Sequence, residues 1–454
     1  MLKGRKSRQK AADFDALDQI NLNAAGIDIG AAEIFAAVPK GHDEQAVRSF
    51  PTFTVDLRRL ADWLEHCGIE TVAMESTGIY WVPLYEILEE RGFEVCLVNA
   101  RHVKNVPGRK SDVMDCQWIQ QLHTYGLLQA SFRPPAEICA IRALVRHRGM
   151  LVRYRSAHIQ HMQKALHLMN VQLTNVLSDI TGETGMKIIR AIVAGQRDPH
   201  RLAQFRDPRC ARTEEEIAKS LEGHYQREHL FALKQALELH DTYSQQIQSC
   251  DAELEALYQD MDSDPDPTDN RPPDPKTQKR RKSQAHFDLR MSLYRMAGVD
   301  LTRIDGLDAL TVQTVLSEIG LEMSRWPTVK HFCSWFNLAP RNDVSGGKVK
   351  RRGTPKTKQP GATALRLAAQ SLARSDSALG SYYRRIRARH GGPKAVTATA
   401  HKLARIIYHM LKHREDYVDP GSGHYEQQYR QRTIRNLKHR AARLGFRLEP
   451  TSVT

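Results

Sequence analysis

Apolar and polar residues alternate with several different periods over the first third of the chain. Two short strands joined by a glycine-containing turn are predicted at residues 26–30 and 33–38. After them, segments in which apolar residues have helical spacing alternate with short segments typical of strands. In chain order they predict a helix at 55–64, a strand at 71–75, a helix at 81–88, a strand at 93–98 and a helix from Asp112 to about His123. A strand hairpin followed by alternating helices and strands is typical of an α/β domain with a mixed sheet.

The rest of the chain has mainly helical spacing. Residues 138–176 are basic and helical, and a near-3.5 spacing over 226–261 predicts a coiled coil. Residues 262–275 combine prolines with acids and cannot form a helix. The whole pattern predicts six segments. They are a basic arm at 1–22, an α/β domain at 23–135, a helical and coiled-coil region at 136–261, a Pro-rich and basic linker at 262–285, a mostly helical C-terminal domain at 286–416, and a basic tail at 417–454 that ends in a short helix.

Charge and composition narrow the function. The 454 residues carry 67 basic and 52 acidic side chains, a formal net charge of +15. No run approaches the roughly 18 apolar residues of a membrane helix, and no apolar segment follows the charged N-terminus. We therefore expect a cytoplasmic protein whose partner is a polyanion, most simply nucleic acid. The seven scattered cysteines, none in CxxC spacing, argue against both a disulfide framework and a zinc knuckle.

Four acidic residues fall at the ends of the predicted elements. Asp28 lies on the first strand, Glu75 ends a later strand, and Asp112 and Asp115 share one face of a first helical turn. Individually, each has an ordinary explanation, because acids suit turn edges and helix starts. Together, four carboxylates on two strands and a helix match the oxygen ligands of two Mg²⁺ ions roughly 4 Å apart, the arrangement used to cleave phosphodiesters.

The C-terminal domain contains two further motifs. Residues 304–310 match the turn of a helix-hairpin-helix around Gly306, whose backbone amides can hold a phosphate, although a plain glycine turn fits equally well. Residues 341–366 contain eight basic residues and the single acid Asp343. Ser345 stands there before two glycines, which is by itself typical of a flexible loop. With Lys348, Lys350, Arg351 and Arg352 to hold phosphates, Ser345 becomes a candidate nucleophile, and Asp343 or the acidic domain is its candidate source of activation.

The order of elements and acids in the first domain resembles the RNase H-like fold of the RuvC type. Actin-like sugar kinases and chaperone ATPases also begin with an apolar-Asp-x-Gly hairpin. They need a hydroxyl residue after the glycine and a second Asp-Gly-Gly loop, whereas here Ala31 and Ala32 follow Gly30 and no such loop is present.

The whole set of motifs resembles the DEDD-type insertion-sequence transposases of the one-ten and eleven-eleven group, over residues 24–416. The motifs are Gly26-Ile27-Asp28-Ile29-Gly30, Met74-Glu75-Ser76-Thr77-Gly78, Lys110-Ser111-Asp112-Val113-Met114-Asp115, Leu338-Ala339-Pro340-Arg341 with Ser345-Gly346-Gly347-Lys348, and residues 361–366. One departure concerns Lys358, which lies three residues before Gly361, with Ala362 after it. The family commonly has lysine two residues before this glycine and aspartate after it, so no role is carried over to Lys358.

The resemblance implies a mechanism and partners. Asp28, Glu75, Asp112 and Asp115 would bind Mg²⁺, and Ser345 would form a phosphoserine link to DNA. A non-coding guide (bridge) RNA would pair with donor and target DNA, and the protein would be a tetramer, a dimer of dimers, associated with the nucleoid. The basic helix bearing Arg142, Arg146, Arg148 and Arg153 would contact nucleic-acid backbone. Two alternatives remain, a RuvC-like nuclease with water as nucleophile and a non-enzymatic nucleic-acid scaffold.

Overall fold

The computed structural model of the protein describes residues 17–76, 78–99, 112–261, 272, 283–341, 343–351 and 353–449. For residues 112, 113, 343, 344 and 351 it describes the backbone alone. The chain forms two compact units, Met1–Arg133 and Pro134–Thr454. The predicted helical region and the predicted C-terminal domain both belong to the second unit.

The first unit is built on a mixed sheet. Its described strands are β1 (Ala24–Ile29), β2 (Glu33–Ala37), β3 (Val47–Pro51), β4 (Thr71–Glu75) and β5 (Glu94–Val98). They run in the order β3-β2-β1-β4-β5. Strands β1, β4 and β5 are parallel, and β2 is antiparallel to both β1 and β3. This arrangement confirms the predicted α/β fold with a mixed sheet and is consistent with an RNase H-like domain.

Strand β3 was not predicted. Its sequence, Val-Arg-Ser-Phe-Pro, has only two apolar side chains, and its residues are half-buried or exposed. It lies at the edge of the sheet, where one row of backbone groups needs no partner strand and proline is tolerated. An edge strand therefore leaves little of the alternation by which buried strands are recognised.

Helices cover both faces of the sheet. Helices α1 (Thr54–His66) and α2 (Trp81–Glu90) contribute to a core with Ile27, Met74 and Leu97. Helix α3 (Asp112–Thr124) packs on β1, and its Ile119 joins Ala73 and Val98 in a separate cluster. Because Ala73 and Met74 are adjacent on one strand, the two clusters lie on opposite faces.

The predicted N-terminal arm overlaps this unit. Ile20 and Asn21 donate their backbone N–H groups to the Thr124 carbonyl oxygen at 2.8 and 3.0 Å. These residues therefore pack on the end of α3, although the sequence predicted them as part of the arm that precedes the α/β domain at residue 23. Residues 1–16 of the arm, and residues 262–282 of the predicted linker at 262–285 except Pro272, lie outside the described residues.

Two long helices organise the second unit. Helix α4 (Ala136–Leu168) and helix α9 (Arg227–Asp260) pack along each other. They are antiparallel, because Arg148 contacts Asp251 and, further along α4, His158 stacks on Tyr243. The predicted helix at 226–261 is thus present and has a partner in the same chain. Between the two lie α5 (Leu173–Val176), α6 (Glu183–Val193), α7 (Pro199–Ala203) and α8 (Glu214–Ser220).

The remaining elements of this unit are mostly helical. They are α10 (Leu289–Ala297), α11 (Ala309–Ile319), α12 (Val329–Trp335), β6 (Asp343–Ser345), β7 (Lys348–Arg351), α13 (Pro360–Ser371), α14 (Ala378–His390), α15 (Gly392–His413) and α16 (Gly421–Arg443), with short 3-10 turns at Leu301–Arg303, Met323–Arg325 and Leu372–Arg374. Phe332 and Phe336 are fully buried and belong to the core of this unit. The tail helix α16 has 23 residues, longer than the predicted short helix.

Two whole-molecule expectations can be compared with the structure. All seven cysteines are free thiols; four are buried and three half-buried. In the described parts of the chain no helix is long and apolar enough to cross a bilayer.

Candidate active site

Asp28 and Glu75 lie side by side at the carboxyl ends of neighbouring strands. In the parallel pair β1–β4, Gly26 is level with Ala73 and Ile27 with Met74. Continuing this register by one residue places Asp28 level with Glu75, on strands ~4.8 Å apart. Because side chains alternate along a strand, both carboxylates project from the same face of the sheet as Gly26 and Ala73. Asp28 is half-buried and Glu75 is buried, with 8% of its surface exposed.

Gly26 brings helix α3 onto this face. A Cβ added to Gly26 would lie 2.1 Å from the Gln120 nitrogen and 2.4 Å from the Cys116 carbonyl oxygen. The helix backbone therefore occupies the space that any side chain at Gly26 would need. Sequence reasoning missed this role, although a glycine two residues before Asp28, on the same face of the strand, was an available signal.

The far end of α3 is tied to the start of β4. The Nε2 atom of His123 lies 2.8 Å from the Thr71 hydroxyl oxygen. That hydroxyl donates its single proton to the Glu94 carbonyl oxygen at 2.9 Å, so Nε2 is the donor to Thr71. Helix α3 thus runs antiparallel to β4. Its N-terminal turn points toward the strand ends that carry Asp28 and Glu75.

Element geometry brings the acids to the same level. From Thr71 to Glu75 the strand advances roughly 13 Å, and from His123 back to Asp115 the helix advances roughly 12 Å. Asp115 therefore reaches the height of Glu75, and Asp112 lies at the start of the same helix. The Asp112 side chain lies outside the described residues.

The electrostatics around Cys116 agree with this placement. The pKa of the Cys116 thiol is raised to about 12, mainly by burial and in smaller part by the nearby charges of Asp28 and Asp115. Cys116 thus remains a neutral thiol between the two acids. The site provides no thiolate ligand, and its ionisable oxygen donors are carboxylates.

This donor set fits a hard divalent cation, which prefers carboxylate oxygens to sulfur or nitrogen. Asp28, Glu75, Asp115 and Asp112 are the candidate ligands, and the three of them whose side chains are described, Asp28, Glu75 and Asp115, do not lie close enough together in this structure to hold the ion. Within the described side chains, which exclude that of Asp112, no group of three or more acidic, histidine or cysteine residues lies close enough to hold a metal ion.

Ser345 lies on a hairpin, where the sequence suggested a loop. Strand β6 ends at Ser345 and pairs antiparallel with β7, with Ser345 opposite Lys348. The connecting Gly346 and Gly347 have φ of 57° and 73°, the two positive values expected of a two-residue type I′ turn, which glycine adopts without strain. The hairpin was missed because its strands are only three and four residues long, β7 is basic, and the described side chains at 345–350 are all exposed.

The hairpin presents Ser345 together with basic side chains. Ser345, Lys348 and Lys350 are all exposed. The backbone N–H of Arg341 donates to the Gly353 carbonyl oxygen at 2.9 Å and closes the base of the hairpin. The side chain of Arg351 and all of Arg352 lie outside the described residues.

The arginines of α4 are in different environments. Arg153 is exposed, and Arg142 is half-buried and donates to the Cys139 sulfur at 3.3 Å. Arg146 is half exposed and forms a bidentate ion pair with buried Glu318 of α11, at 2.8–3.0 Å.

Arg148 requires a correction. It is buried, with 5% of its surface exposed, and pairs with buried Asp251 of α9. It also donates to the Ser283 carbonyl oxygen at 3.1 Å. These protein groups satisfy the hydrogen bonds of the guanidinium. A buried arginine without such partners would destabilise the fold strongly. The Arg148 side chain is therefore not accessible for contact with a nucleic acid.

Gly306 lies in a turn before α11. Its φ is 89°, and an added Cβ would lie 2.9 Å from the Ala368 carbonyl oxygen. Asp308 caps α11 by accepting from the Thr311 N–H at 2.9 Å. The turn is packed on one side against the C-terminal part of α13, and Gly306 is exposed on the other.

Two transposase family models match the chain. The model described as DEDD_Tnp_IS110, a transposase, matches residues 25–171. The model described as Transposase IS116/IS110/IS902 family matches residues 299–384. Together they cover just over half of the 454 residues. The chain belongs to the IS110 family of transposases. No curated protein matches its sequence significantly.

This transposase is an enzyme of DNA transposition and recombination in an insertion sequence, and its DEDD class indicates dependence on a divalent metal. The first match contains Asp28, Glu75, Asp112 and Asp115, and the second contains Gly306 and the Ser345 hairpin. The tail helix α16 lies outside both matches.

Proposed function

We propose that this transposase cuts and rejoins DNA through a phosphoserine intermediate on Ser345, supported by Mg²⁺ at Asp28, Glu75, Asp112 and Asp115. The observation that carries the proposal is the placement of acids from β1, β4 and α3 at one edge of one sheet face. A charge cluster that served only to balance basic residues would have no reason to converge there.

The acidic edge suits phosphodiester chemistry. Bound Mg²⁺ would stabilise negative charge that develops on phosphate oxygens. The protein's own contribution is to fix the carboxylates. Asp28 and Glu75 are held by the sheet register, and Asp115 is held by the close contact of α3 with Gly26. Ser76 fastens the end of β4, since its N–H and hydroxyl donate to the Val98 carbonyl oxygen at 2.9 and 3.0 Å.

Ser345 suits nucleophilic attack. It is exposed beside a Gly-Gly turn, so a DNA strand can approach its hydroxyl without meeting a side chain at the next two positions. Its Oγ would form a bond to phosphorus while the bond from phosphorus to the leaving DNA oxygen breaks. A carboxylate, Asp343 or one from the acidic domain, would accept the hydroxyl proton, and the leaving DNA oxygen would take up a proton in its place. Lys348 and Lys350 would hold adjacent phosphates. The phosphoserine link conserves the bond energy for rejoining.

The partners in this proposal come from the family resemblance. We infer donor and target DNA bound with a guide RNA, in a cytoplasmic, nucleoid-associated tetramer in which the acidic unit of one subunit serves the serine of another. On the described surface, Arg142, Arg146 and Arg153 remain candidate backbone contacts, together with Gly306 and the hairpin lysines. The exposed part of Arg146 supports this role even though Glu318 shares its guanidinium.

The experiment compares three substitutions in the full chain, incubated with flanking element DNA, any co-purifying RNA and Mg²⁺. Wild type should form a protein–DNA adduct that survives denaturing electrophoresis. Ser345→Ala should form none, whereas Ser324→Ala, at an exposed serine of the same unit, should behave as wild type. Asp28→Asn should lower strand cleavage by on the order of a thousandfold while DNA binding persists.

Two results would contradict the proposal. Full cleavage by Ser345→Ala without an adduct would identify a nuclease that uses water. Unchanged DNA transactions in Asp28→Asn would favour the non-enzymatic scaffold, and the steep salt dependence of binding would then be the protein's main property.

A further inference from the structure

The tail helix α16 is a strongly basic surface that the family matches do not include. It spans Gly421–Arg443, and none of its residues is buried. Between 427 and 443 it carries six arginine or lysine residues and no acid. They are Arg430, Arg432, Arg435, Lys438, Arg440 and Arg443. All six are exposed, and none forms an ion pair with any residue that the structure describes.

The first part of α16 is anchored to the fold. Arg385 of α14 lies 3.3 Å from the ring centroid of Tyr429 and 4.9 Å from that of Tyr425. Lys402 of α15 lies 5.4 Å from the Tyr425 ring. At the helix start, the Ser422 hydroxyl donates to Asp376 at 2.7 Å. These contacts hold the N-terminal half in place, so the basic half projects from a fixed base.

The basic half has two distinct faces. At 100° per residue, Ile434, Leu437 and Ala441 lie on one side of the helix, and Arg430 and Lys438 fall on or beside that side. Arg432, Arg435 and Arg443 lie on the other side. Ile434 and Leu437 are 41% and 48% exposed. This apolar stripe covers less than two heptads, short of the three or four that a stable coiled coil needs. Two copies would also bring twelve cations together, so self-association is disfavoured.

We propose that α16 is a binding element for the phosphate backbone of a nucleic-acid duplex. Its six cations span roughly 20 Å of helix, and one strand of a duplex carries a phosphate every ~3.4 Å. Along the helix axis, the mean spacing of the cations is therefore close to the spacing of the phosphates. Arginines at i and i+3, such as Arg432 with Arg435 and Arg440 with Arg443, repel each other in the free protein. Bound phosphates would relieve this repulsion.

The test uses the full-length protein with Arg435, Lys438, Arg440 and Arg443 all changed to Gln, which keeps good helix propensity. The matched control changes Arg58, Arg201, Lys219 and Arg227 to Gln, four exposed cations elsewhere that lose the same total charge. Binding to a 30-base-pair DNA duplex and to an RNA duplex of equal length is measured by fluorescence anisotropy over a series of salt concentrations. Circular dichroism checks that helix content is retained.

The tail variant should bind at least about tenfold more weakly near 0.1 M salt. The negative slope of log K against log[salt] should become less steep by about 3 to 4. The control should keep the wild-type slope. The duplex that shows the change identifies whether DNA, RNA or both are bound. Equal losses of affinity and of salt dependence in both variants would show that only the net charge matters and would overturn the proposal. So would an unchanged slope with a smaller particle mass, which would assign α16 to contact between copies. Neither outcome alters the tests of Ser345 and Asp28.

Discussion

Gly26 sets the distance between β1 and α3, and therefore the position of Asp115. An added methyl group would lie within 2.6 Å of three backbone atoms of α3, none of which can rotate away. We expect Gly26→Ala to lower the free energy of unfolding by about 3 kcal/mol or more. Because α3 must move to accommodate the methyl group, strand cleavage should be lost as well.

Gly149 is the matched control for this prediction. It lies within helix α4, and beyond its chain neighbours and the nearby backbone of that helix no atom would lie within 4 Å of an added Cβ. Gly149→Ala should raise the free energy of unfolding, by up to about 1 kcal/mol, since alanine restricts the unfolded chain and favours helix. Urea unfolding of both variants measures the difference. Similar stability of the two variants would contradict the close packing at Gly26.

Single residues also show how far the sequence could predict the site. Asp28 and Glu75 were predicted as candidate site residues because each ends or interrupts a run of strand residues. That signal is local in the chain. The burial of Arg148 could not be predicted, because its partner Asp251 is 103 positions away. In the sequence, Arg148 looks the same as its exposed neighbour Arg153, and only the packing of two helices separates them.

At the scale of elements, His123 fastens α3 to β4 and makes this contact sensitive to pH. Burial lowers the pKa of His123 below its usual value of about 6.5, although Glu94 opposes the shift. The unfolded chain therefore binds a proton more readily than the folded one. The stabilising contribution is complete above about pH 6.5 and is lost as the pH falls toward the folded-state pKa.

We expect the wild-type free energy of unfolding to fall between pH 7.5 and 5 more steeply than that of His123→Gln. The control is His66→Gln, at an exposed histidine in α1, which should follow the wild-type curve. Denaturant unfolding at several pH values measures all three. Parallel curves for wild type and His123→Gln would mean that this histidine does not titrate differently on folding.

Elements differ in how well the sequence predicts them. Strands β1, β2, β4 and β5 and helices α1 to α3 were predicted, because their buried side chains impose a clear period on the sequence. Strand β3 and the hairpin β6–β7 were missed for the opposite reason. They are edge or exposed strands in which backbone pairing and glycine conformation, rather than side-chain burial, determine the structure.

At the scale of the whole molecule, the two compact units have separate cores. One lies around the sheet, and another lies among α4, α6 and α9. In the second unit, Arg148 and Asp251 join the long helices as a buried ion pair, with 6% and 2% of their side chains exposed. Removing one partner leaves a buried charge without compensation, which typically costs about 3 to 5 kcal/mol.

We therefore expect Asp251→Ala to destabilise the second unit by about that amount and to leave the first unit unchanged. Hydrogen exchange measured on peptides should show faster exchange in α4 and α9 and wild-type protection in β1 and β4. The double variant Arg148→Met with Asp251→Leu should recover most of the protection, since an apolar pair of similar volume can replace a buried ion pair. Equal loss of protection in both units would show that they unfold together and that the Arg148–Asp251 pair stabilises the whole chain.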